Sequence, residues 1–146
     1  MTSLVVDASV AVKWCLPSQR EEFVAQAEEL LNSYRRNEVL FLVPDLFWVE
    51  LASALWKAMR RAEISADEAT SALSFVRDLG IATIPCADLV PQALLLAVSH
   101  GRTVYDSLYV ALAMQSESEM ITADERLANA LAARFPVKWL GAFPLS

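Results

Sequence analysis

A short apolar run near the start of the chain, Leu4, Val5 and Val6, constrains the fold more than any other feature of the sequence. The run has no alternating polar residues, so the strand that it predicts must be covered on both faces. It ends at Asp7, and a helix-compatible segment follows at once. Such a junction lies at the carboxyl edge of a parallel sheet, where open α/β folds bind their ligands. Acidic residues that end neighbouring strands would therefore converge on Asp7.

Strands and helices alternate in the same way along the rest of the chain. Further strands are predicted at residues 39–43, 81–85, 119–122 and 137–140, the last of them at an edge of the sheet. Capping-box pairs predict where two helices begin: Ser18 with Glu21, and Ser65 with Glu68. Other helices are predicted to begin after Asp7 and at Leu46, Asp88, Thr103 and Asp124. This alternation predicts one three-layer α/β/α domain over residues 1–146, with a mostly parallel five-stranded sheet.

Composition excludes several classes of protein. The two cysteines share no metal-type spacing with each other or with the single histidine, which argues against a zinc site and for a reducing compartment. The apolar runs are far shorter than the roughly 18 residues of a membrane span, and the first residues lack a secretion-signal pattern. We therefore expect a cytoplasmic protein with no membrane association. The net charge of −6 argues against binding nucleic acid over the whole surface, so such a substrate would be held locally or through cations.

Aspartate is a preferred helix N-cap, worth about 1 kcal/mol, and this property obscures any acidic site. The aspartates at predicted strand-to-helix junctions are Asp7, Asp45, Asp88 and Asp124. Each of them, taken singly, is explained as a cap. Asp106 also has a structural interpretation, because Thr103 three residues before it forms a pair similar to a capping box. Position alone therefore does not separate caps from functional acids.

Glu50 is harder to explain as a structural residue. It lies more than one turn inside a predicted apolar helix, where an unpaired carboxylate is costly. An arginine partner is one explanation, and a bound cation is the other. Four carboxylates within about 5 Å of one another would repel by ~3 kcal/mol per pair at an effective dielectric constant of 20. Such a cluster would persist only around a positive charge.

Motifs along nearly the whole chain resemble one known family. They read VVDASVAVKW, VPDLFWVELASAL, TVYDSLYVALA and ITADERLANA, in this order. Together they resemble the PIN domain, specifically the ribonuclease toxins of VapC-type toxin–antitoxin pairs. The resemblance implies a catalytic and metal-binding set of acids: Asp7, Glu50, Asp106 and Asp124. It leaves Asp45 and Asp88 without a catalytic counterpart. It also implies that the hydroxyls of Ser9 and Thr122 lie near the metal, although a cap or turn role remains open for each.

The chemistry of these ligands follows from their type. Carboxylate and water oxygens suit Mg²⁺ or Mn²⁺ better than Zn²⁺. Such an ion lowers the pKa of a bound water and neutralises charge on a scissile phosphate. The expected activity is hydrolysis of RNA phosphodiester bonds, and the preference for RNA comes from the resemblance alone. Lys13, Arg102 and Arg126 lie close in sequence to the acids and are candidates for phosphate contacts, unless they serve only surface solubility.

Partners are predicted from the apolar residues, which make up 55% of the chain. One group of large apolar residues is more than a single buried face of a helix requires: Trp14, Phe47, Trp48, Trp56 and Met59. We expect some of these to form a homodimer interface and a groove for a VapB-type antitoxin, as the resemblance implies, and the others to pack in the core. Two other functions remain open. One is a receiver-type phosphoacceptor, for which Lys138 is the only candidate phosphate-binding lysine, and the other is a catalytically inactive PIN-fold module that binds RNA or protein.

Overall fold

The computed structural model describes residues 1–17 and 21–145, and along them each strand is followed by one or two helices until the last strand. They run in the order β1 (Thr2–Val6), α1 (Ala8–Cys15), α2 (Val24–Arg35), β2 (Val39–Pro44), α3 (Leu46–Arg60), α4 (Ala66–Arg77), β3 (Ala82–Ile84), α5 (Val90–His100), α6 (Val104–Gln115), β4 (Glu119–Thr122), α7 (Glu125–Leu131) and β5 (Val137–Trp139). Short 3₁₀ turns lie at Cys86–Asp88, before α5, and at Leu140–Ala142, after β5.

The strands form one sheet in the order β3-β2-β1-β4-β5, and all neighbours in it are parallel. Helices cover both faces, so the predicted three-layer α/β/α class is confirmed. The position of β5 at an edge is confirmed as well. Because β1 lies between β2 and β4, the carboxyl end of β1 adjoins that of β4, with Val6 opposite Ile121. This strand order brings the start of the chain beside a segment more than a hundred residues later.

The core is built on the central strand and on α6. Val5 and Val6 are completely buried, as expected for a strand covered on both faces. Every residue of α6 from 107 to 113 is buried, since this helix packs against α5 and contacts β1, β2 and β4. In the described part of the chain, every helix is too short or too polar to cross a lipid bilayer.

Two predicted helix starts differ from the structure. The helix α2 begins at Val24, after a left-handed Phe23, whereas the sequence predicted a start at Ser18, which lies outside the described residues; Glu21 pairs with Lys13. Asp88 does not open α5 either, because it belongs to the 3₁₀ turn Cys86–Asp88. The sequence there contains Pro91, which has no backbone N–H and is tolerated in the first turn of a helix. That proline is compatible with a start at residue 90 as well as at 88.

The pair Ser65 and Glu68 does form the predicted capping box. The Ser65 hydroxyl accepts the backbone N–H of Glu68 at 3.0 Å, and the Glu68 carboxylate accepts the N–H of Ser65 at 2.9 Å. Both bonds are local, which is why three-residue spacing was enough to predict them.

The apolar residues that the sequence divided between the core and a partner surface mostly pack in the core. Phe47 is completely buried, Met59 packs against the core, and Trp48 donates its indole N–H to Thr83 at 3.0 Å. Trp14, on α1, stacks on Phe41 and donates to a backbone carbonyl. Among the five residues named from the sequence, only Trp56 is exposed, at 52%. The exposed apolar side chains are instead concentrated on α5, as Val90, Leu94, Leu95 and Val98.

Candidate active site

Asp7 lies between β1 and α1, at the carboxyl edge of the sheet. Its backbone N–H donates to the carbonyl of Ile121 at 3.0 Å and extends the pairing of β1 with β4. Although Asp7 occupies the N-cap position of α1, its side chain makes no capping hydrogen bond. The carboxylate instead accepts the hydroxyls of Ser9 and Thr122 through the same oxygen, Oδ2, each at 2.7 Å. The interpretation of Asp7 as a simple cap is therefore wrong.

The two hydroxyls are themselves held by the turn between β4 and α7. The Ser9 hydroxyl oxygen accepts the N–H of Ala123 at 3.0 Å, and that of Thr122 accepts the N–H of Asp124 at 3.0 Å. Because each oxygen already accepts a backbone proton, its own proton is free to point at Asp7. Hydrogen bonds to a carboxylate favour its ionised form. Ser9 and Thr122 thus support the charge of Asp7 against its burial.

Glu50 lies in the second turn of α3 and is half-buried. Its Oε1 accepts the hydroxyl of Tyr109 on α6 at 2.6 Å, so its partner among the described residues is a tyrosine and not an arginine. Burial raises the pKa of Glu50, and the hydrogen bond from Tyr109 opposes this effect. The charges of Asp7 and Asp106 raise the pKa further. The charges of Asp7 and Asp106 therefore reach Glu50 across the edge of the sheet.

Asp106 lies in the first turn of α6. Its backbone N–H donates to the Thr103 hydroxyl at 3.0 Å, which is half of the predicted capping pair. Burial raises the pKa of Asp106, the charge of Asp124 raises it further, and the guanidinium of Arg102 lowers it. Asp106 is therefore both part of a helix start and part of the acidic group.

Asp124 combines two roles in the same way. Its Oδ1 accepts the N–H of Leu127 at 3.1 Å and caps α7, as the sequence predicted. Its charge also acts on Asp106. Asp124 is exposed, unlike the other three acids, and it lies at the outer side of the group.

The other junction aspartates serve the backbone. Asp45 does not cap α3; its Oδ1 accepts the N–H of Cys86 at 3.0 Å, in the turn after β3. Hydrogen bonds from Cys86 hold the pKa of Asp45 below its ordinary value. Asp88 lies within that same 3₁₀ turn. The structure thus separates Asp45, whose carboxylate is satisfied by the backbone, from Asp7, whose carboxylate faces other acids.

The donor set fits a hard divalent cation. Asp7, Glu50 and Asp106 offer carboxylate oxygens, and burial raises the pKa of all three although neighbouring donors and Arg102 oppose the effect. Within residues 1–17 and 21–145, no three Asp, Glu, His or Cys side chains are grouped closely enough to form a cage around an ion. Mg²⁺ does not need one, since it usually keeps several waters and binds through one or two carboxylates.

The basic candidates differ in their surroundings. The ammonium of Lys13 pairs with Glu21 at 3.2 Å, and its side chain is only 9% exposed. Arg102 acts on Asp106 and donates Nη2 to the carbonyl of Arg126 at 3.3 Å, so these two arginines adjoin each other near the acids. Arg126 itself is exposed. Arg102 and Arg126 are therefore better placed than Lys13 to meet a phosphate.

Lys138 does not meet the requirement of a receiver-type phosphoacceptor. Its ammonium lies 3.5 Å from the carboxylate of Glu119, and both side chains are exposed. Glu119 is the first residue of β4, at the opposite end of that strand from the acidic edge. The lysine thus points away from the place where a phosphorylated aspartate would stand.

Sequence reasoning missed Tyr109. It lies three residues after Asp106, on the same face of α6. In an apolar helix an aromatic residue is normally taken for core, and Tyr109 is indeed 1% exposed. Its phenol group was the available signal, since a buried tyrosine hydroxyl needs a partner.

Comparisons with known proteins show which family this chain resembles. The model of the PIN domain family matches residues 4–131, a range that contains all four acids of the site. Ribonuclease VapC3 from Pyrobaculum aerophilum is 36% identical over 130 residues, which cover 86% of this chain and 92% of that protein.

Solved structures share the fold at lower identity. The crystal structure of PAE2754 from Pyrobaculum aerophilum has a TM-score of 0.72 and 20% identity, and the match covers 96% of this chain and 85% of that one. VapBC2 from Rickettsia felis, bound to a DNA fragment from their promoter, has a TM-score of 0.64 and 10% identity, covering 94% and 98%. With a family model that matches most of its length and a relative of this identity, the chain belongs to the PIN domain family.

Proposed function

We propose that this chain, as a single PIN domain, is an endoribonuclease that hydrolyses RNA phosphodiester bonds and is the toxin of a toxin–antitoxin pair. The observation that carries the proposal is the convergence of acids from three separate elements: the Asp7 carboxylate is held by Ser9 and Thr122 at the edge of the sheet, the charge of Asp106 reaches it, and the charges of both reach Glu50. The relative named ribonuclease VapC3 supports the substrate class, because it matches this chain over nearly its whole length.

The proposed cofactor is Mg²⁺ or Mn²⁺. Asp7, Glu50 and Asp106 are the candidate ligands, of which one or two would bind the ion directly while waters complete its coordination shell, and Asp124 is a further acid near it. When bound, the ion supplies a water of lowered pKa and neutralises negative charge on the phosphate. The protein's own contribution is to keep Asp7 ionised and fixed in orientation, through the hydroxyls of Ser9 and Thr122.

RNA would approach along the side of the site that carries Arg102 and Arg126. A guanidinium makes bidentate contacts with phosphate, and such contacts position the backbone without reading bases. Lys13 remains a weaker candidate, because a phosphate would have to displace Glu21 from it. Local contacts of this kind fit a protein whose net charge is −6.

Assembly would use the exposed face of α5. Val90, Leu94 and Val98 follow one another at four-residue spacing and are 44%, 53% and 77% exposed, and Leu95 beside them is 68% exposed. A monomer rarely leaves such a contiguous apolar stripe in water. We propose that this stripe forms the homodimer interface, and that a VapB-type antitoxin binds the dimer in the cytoplasm, where its RNA substrate is found.

RNA cleavage by the purified protein with Mn²⁺ tests the activity. Asp7→Asn and Asp106→Asn should abolish cleavage of a small RNA, because each removes a charge from the site while keeping the shape of the side chain. Asp45→Asn is the matched control and should cleave like the wild type. Normal cleavage by both site variants would refute the proposal. RNA binding by the wild type without any product would favour the inactive binding module instead.

A further inference from the structure

Tyr109 is a buried side chain whose hydroxyl links two of the helices around the acidic site. It belongs to α6 and is 1% exposed, whereas its partner Glu50 belongs to α3, 59 positions earlier. The hydroxyl donates to Oε1 of Glu50 at 2.6 Å. This length is typical of an O–H donor bonded to an ionised carboxylate.

The surroundings of the hydroxyl keep it a donor. Burial raises the pKa of Tyr109, and the charges of Asp7 and Glu50 raise it further. The phenol therefore stays protonated, with its oxygen near two of the site's carboxylates. Asp106 and Tyr109 lie three residues apart on α6 and therefore share one face of that helix. The orientation of α6 about its axis thus sets the positions of both the Asp106 carboxylate and the Tyr109 hydroxyl.

Core packing by itself does not account for a tyrosine here. The flanking residues of α6 are apolar and buried, and a phenylalanine would fill the same space. A buried hydroxyl carries a desolvation cost that only a hydrogen bond offsets. The hydroxyl, which is the only group that distinguishes tyrosine from phenylalanine, donates its hydrogen bond to Glu50.

The bond leaves Glu50 with one oxygen engaged and one available. Among residues 1–17 and 21–145, the hydrogen bond to its carboxylate is made at Oε1. A carboxylate anchored through one oxygen loses rotational freedom, so the other oxygen can bind an ion at a smaller entropic cost.

We propose that Tyr109 is a positioning residue, whose hydroxyl anchors Oε1 of Glu50 so that Oε2 serves a divalent cation. This inference rests on the proposed metal-dependent function. Groups that orient a metal ligand typically contribute ~10-fold to 100-fold in metal affinity or activity. Tyr109→Phe, which removes only the hydroxyl, should therefore weaken Mn²⁺ binding about 10-fold and lower kcat while leaving KM for RNA unchanged.

Tyr34→Phe is a matched control for this variant. The Tyr34 hydroxyl is also partly buried and donates to a single acceptor, the carbonyl of Leu79 at 2.7 Å, but that acceptor is outside the site. Isothermal titration with Mn²⁺ should give wild-type affinity for Tyr34→Phe even if its melting temperature falls as much as that of Tyr109→Phe. A Mn²⁺ affinity of Tyr109→Phe equal to the wild-type value would overturn the proposal.

A double-mutant cycle with Glu50→Gln shows whether Tyr109 acts through Glu50. If it does, the double variant binds Mn²⁺ no more weakly than Glu50→Gln alone. Losses that simply add would mean an independent structural effect and would overturn the inference. Mn²⁺ binding and RNA cleavage are measured separately, so the two proposals can fail independently. A wild type that binds Mn²⁺ but cuts no RNA refutes the ribonuclease activity and still allows the test of Tyr109. A wild type that binds no Mn²⁺ refutes the positioning role.

Discussion

The hydroxyl of Thr122 donates to Oδ2 of Asp7 at 2.7 Å, although the two residues lie 115 positions apart. Thr122 is the last residue of β4, and Asp7 follows the last residue of β1, its parallel neighbour. Burial raises the pKa of Asp7, while the bonds from Ser9 and Thr122 lower it. The pairing of two strands thus decides how easily the site's most buried acid is ionised.

Thr122→Val should reduce RNA cleavage by about 10-fold, in the range found when a partner of a metal ligand is removed. Valine keeps the shape of the completely buried threonine but cannot donate to Asp7. In the metal-free protein the pKa of Asp7 should rise, which carboxyl NMR titration would measure. Thr122→Ser keeps the hydroxyl and should retain most of the activity. Equal cleavage by the valine variant and the wild type would show that this hydrogen bond is dispensable.

The metal-free protein should lose stability as the pH rises above the ordinary carboxyl pKa values of 3.8 and 4.5. Burial raises the folded-state pKa values of Asp7, Glu50 and Asp106 above the ordinary 3.8 or 4.5, so the folded protein binds these protons more tightly than the unfolded chain does. Folding is then favoured below the ordinary pKa values, and this advantage is lost as the pH rises through the raised ones. Each unit of difference is worth about 1.4 kcal/mol. Urea denaturation in EDTA at several pH values would measure the slope.

Asp7→Asn is the control for this pH dependence. It removes one of the raised groups and should flatten the curve, with a higher free energy of unfolding than the wild type at pH 7. Asp45 does not contribute there, because hydrogen bonds lower its pKa and it is ionised in both states. Parallel curves for the wild type and Asp7→Asn would contradict the assignment of the slope to Asp7.

Mn²⁺ should stabilise the folded protein at neutral pH. A ligand that binds only the folded state contributes about 2.7 kcal/mol at a concentration of 100 times its Kd. The melting temperature should therefore rise with added Mn²⁺ and return to its initial value with EDTA. Asp106→Asn should lose most of this response, whereas Asp45→Asn should keep it. An equal response in both variants would place the ion elsewhere.

Substitution of the exposed α5 face should change the oligomeric state. Leu95→Glu and Val98→Glu place charges among apolar side chains that are 68% and 77% exposed, so neither disturbs the core. Light scattering after gel filtration should show a wild-type dimer and monomeric variants. Trp56→Glu, on α3, is the control and should remain dimeric. If only Trp56→Glu gave a monomer, the interface would lie on α3 instead.

Much of the fold could be predicted because its signals are local. The strands β1 and β2 contain continuous apolar runs, Leu4 to Val6 and Val39 to Val43, and the residues of the capping box, Ser65 and Glu68, are three positions apart. The failures arose where one local pattern has two meanings. Asp88 precedes an apolar helix just as Asp124 does, but only Asp124 caps its helix. Trp48 and Trp56 look equivalent along α3, but only the second is exposed.

The acids of the candidate site were named through a family resemblance, since chemistry along the chain could not separate Asp7 from Asp45. In three dimensions the two differ clearly. Asp45 accepts a backbone N–H from the next turn, whereas Asp7 faces the charge of Asp106. Tyr109 was missed because its acceptor is 59 positions away.

By itself the sequence determined the order of the strands and helices and the parallel sheet that they form, because apolar periodicity and β-branched runs act over a few residues. Only the tertiary structure decided which polar atoms meet: that Thr122 donates to Asp7 and Tyr109 to Glu50. Those contacts depend on the order of strands in the sheet and on the rotation of α6 against α3. Both are set by packing of the whole core, to which residues far apart in the chain contribute together.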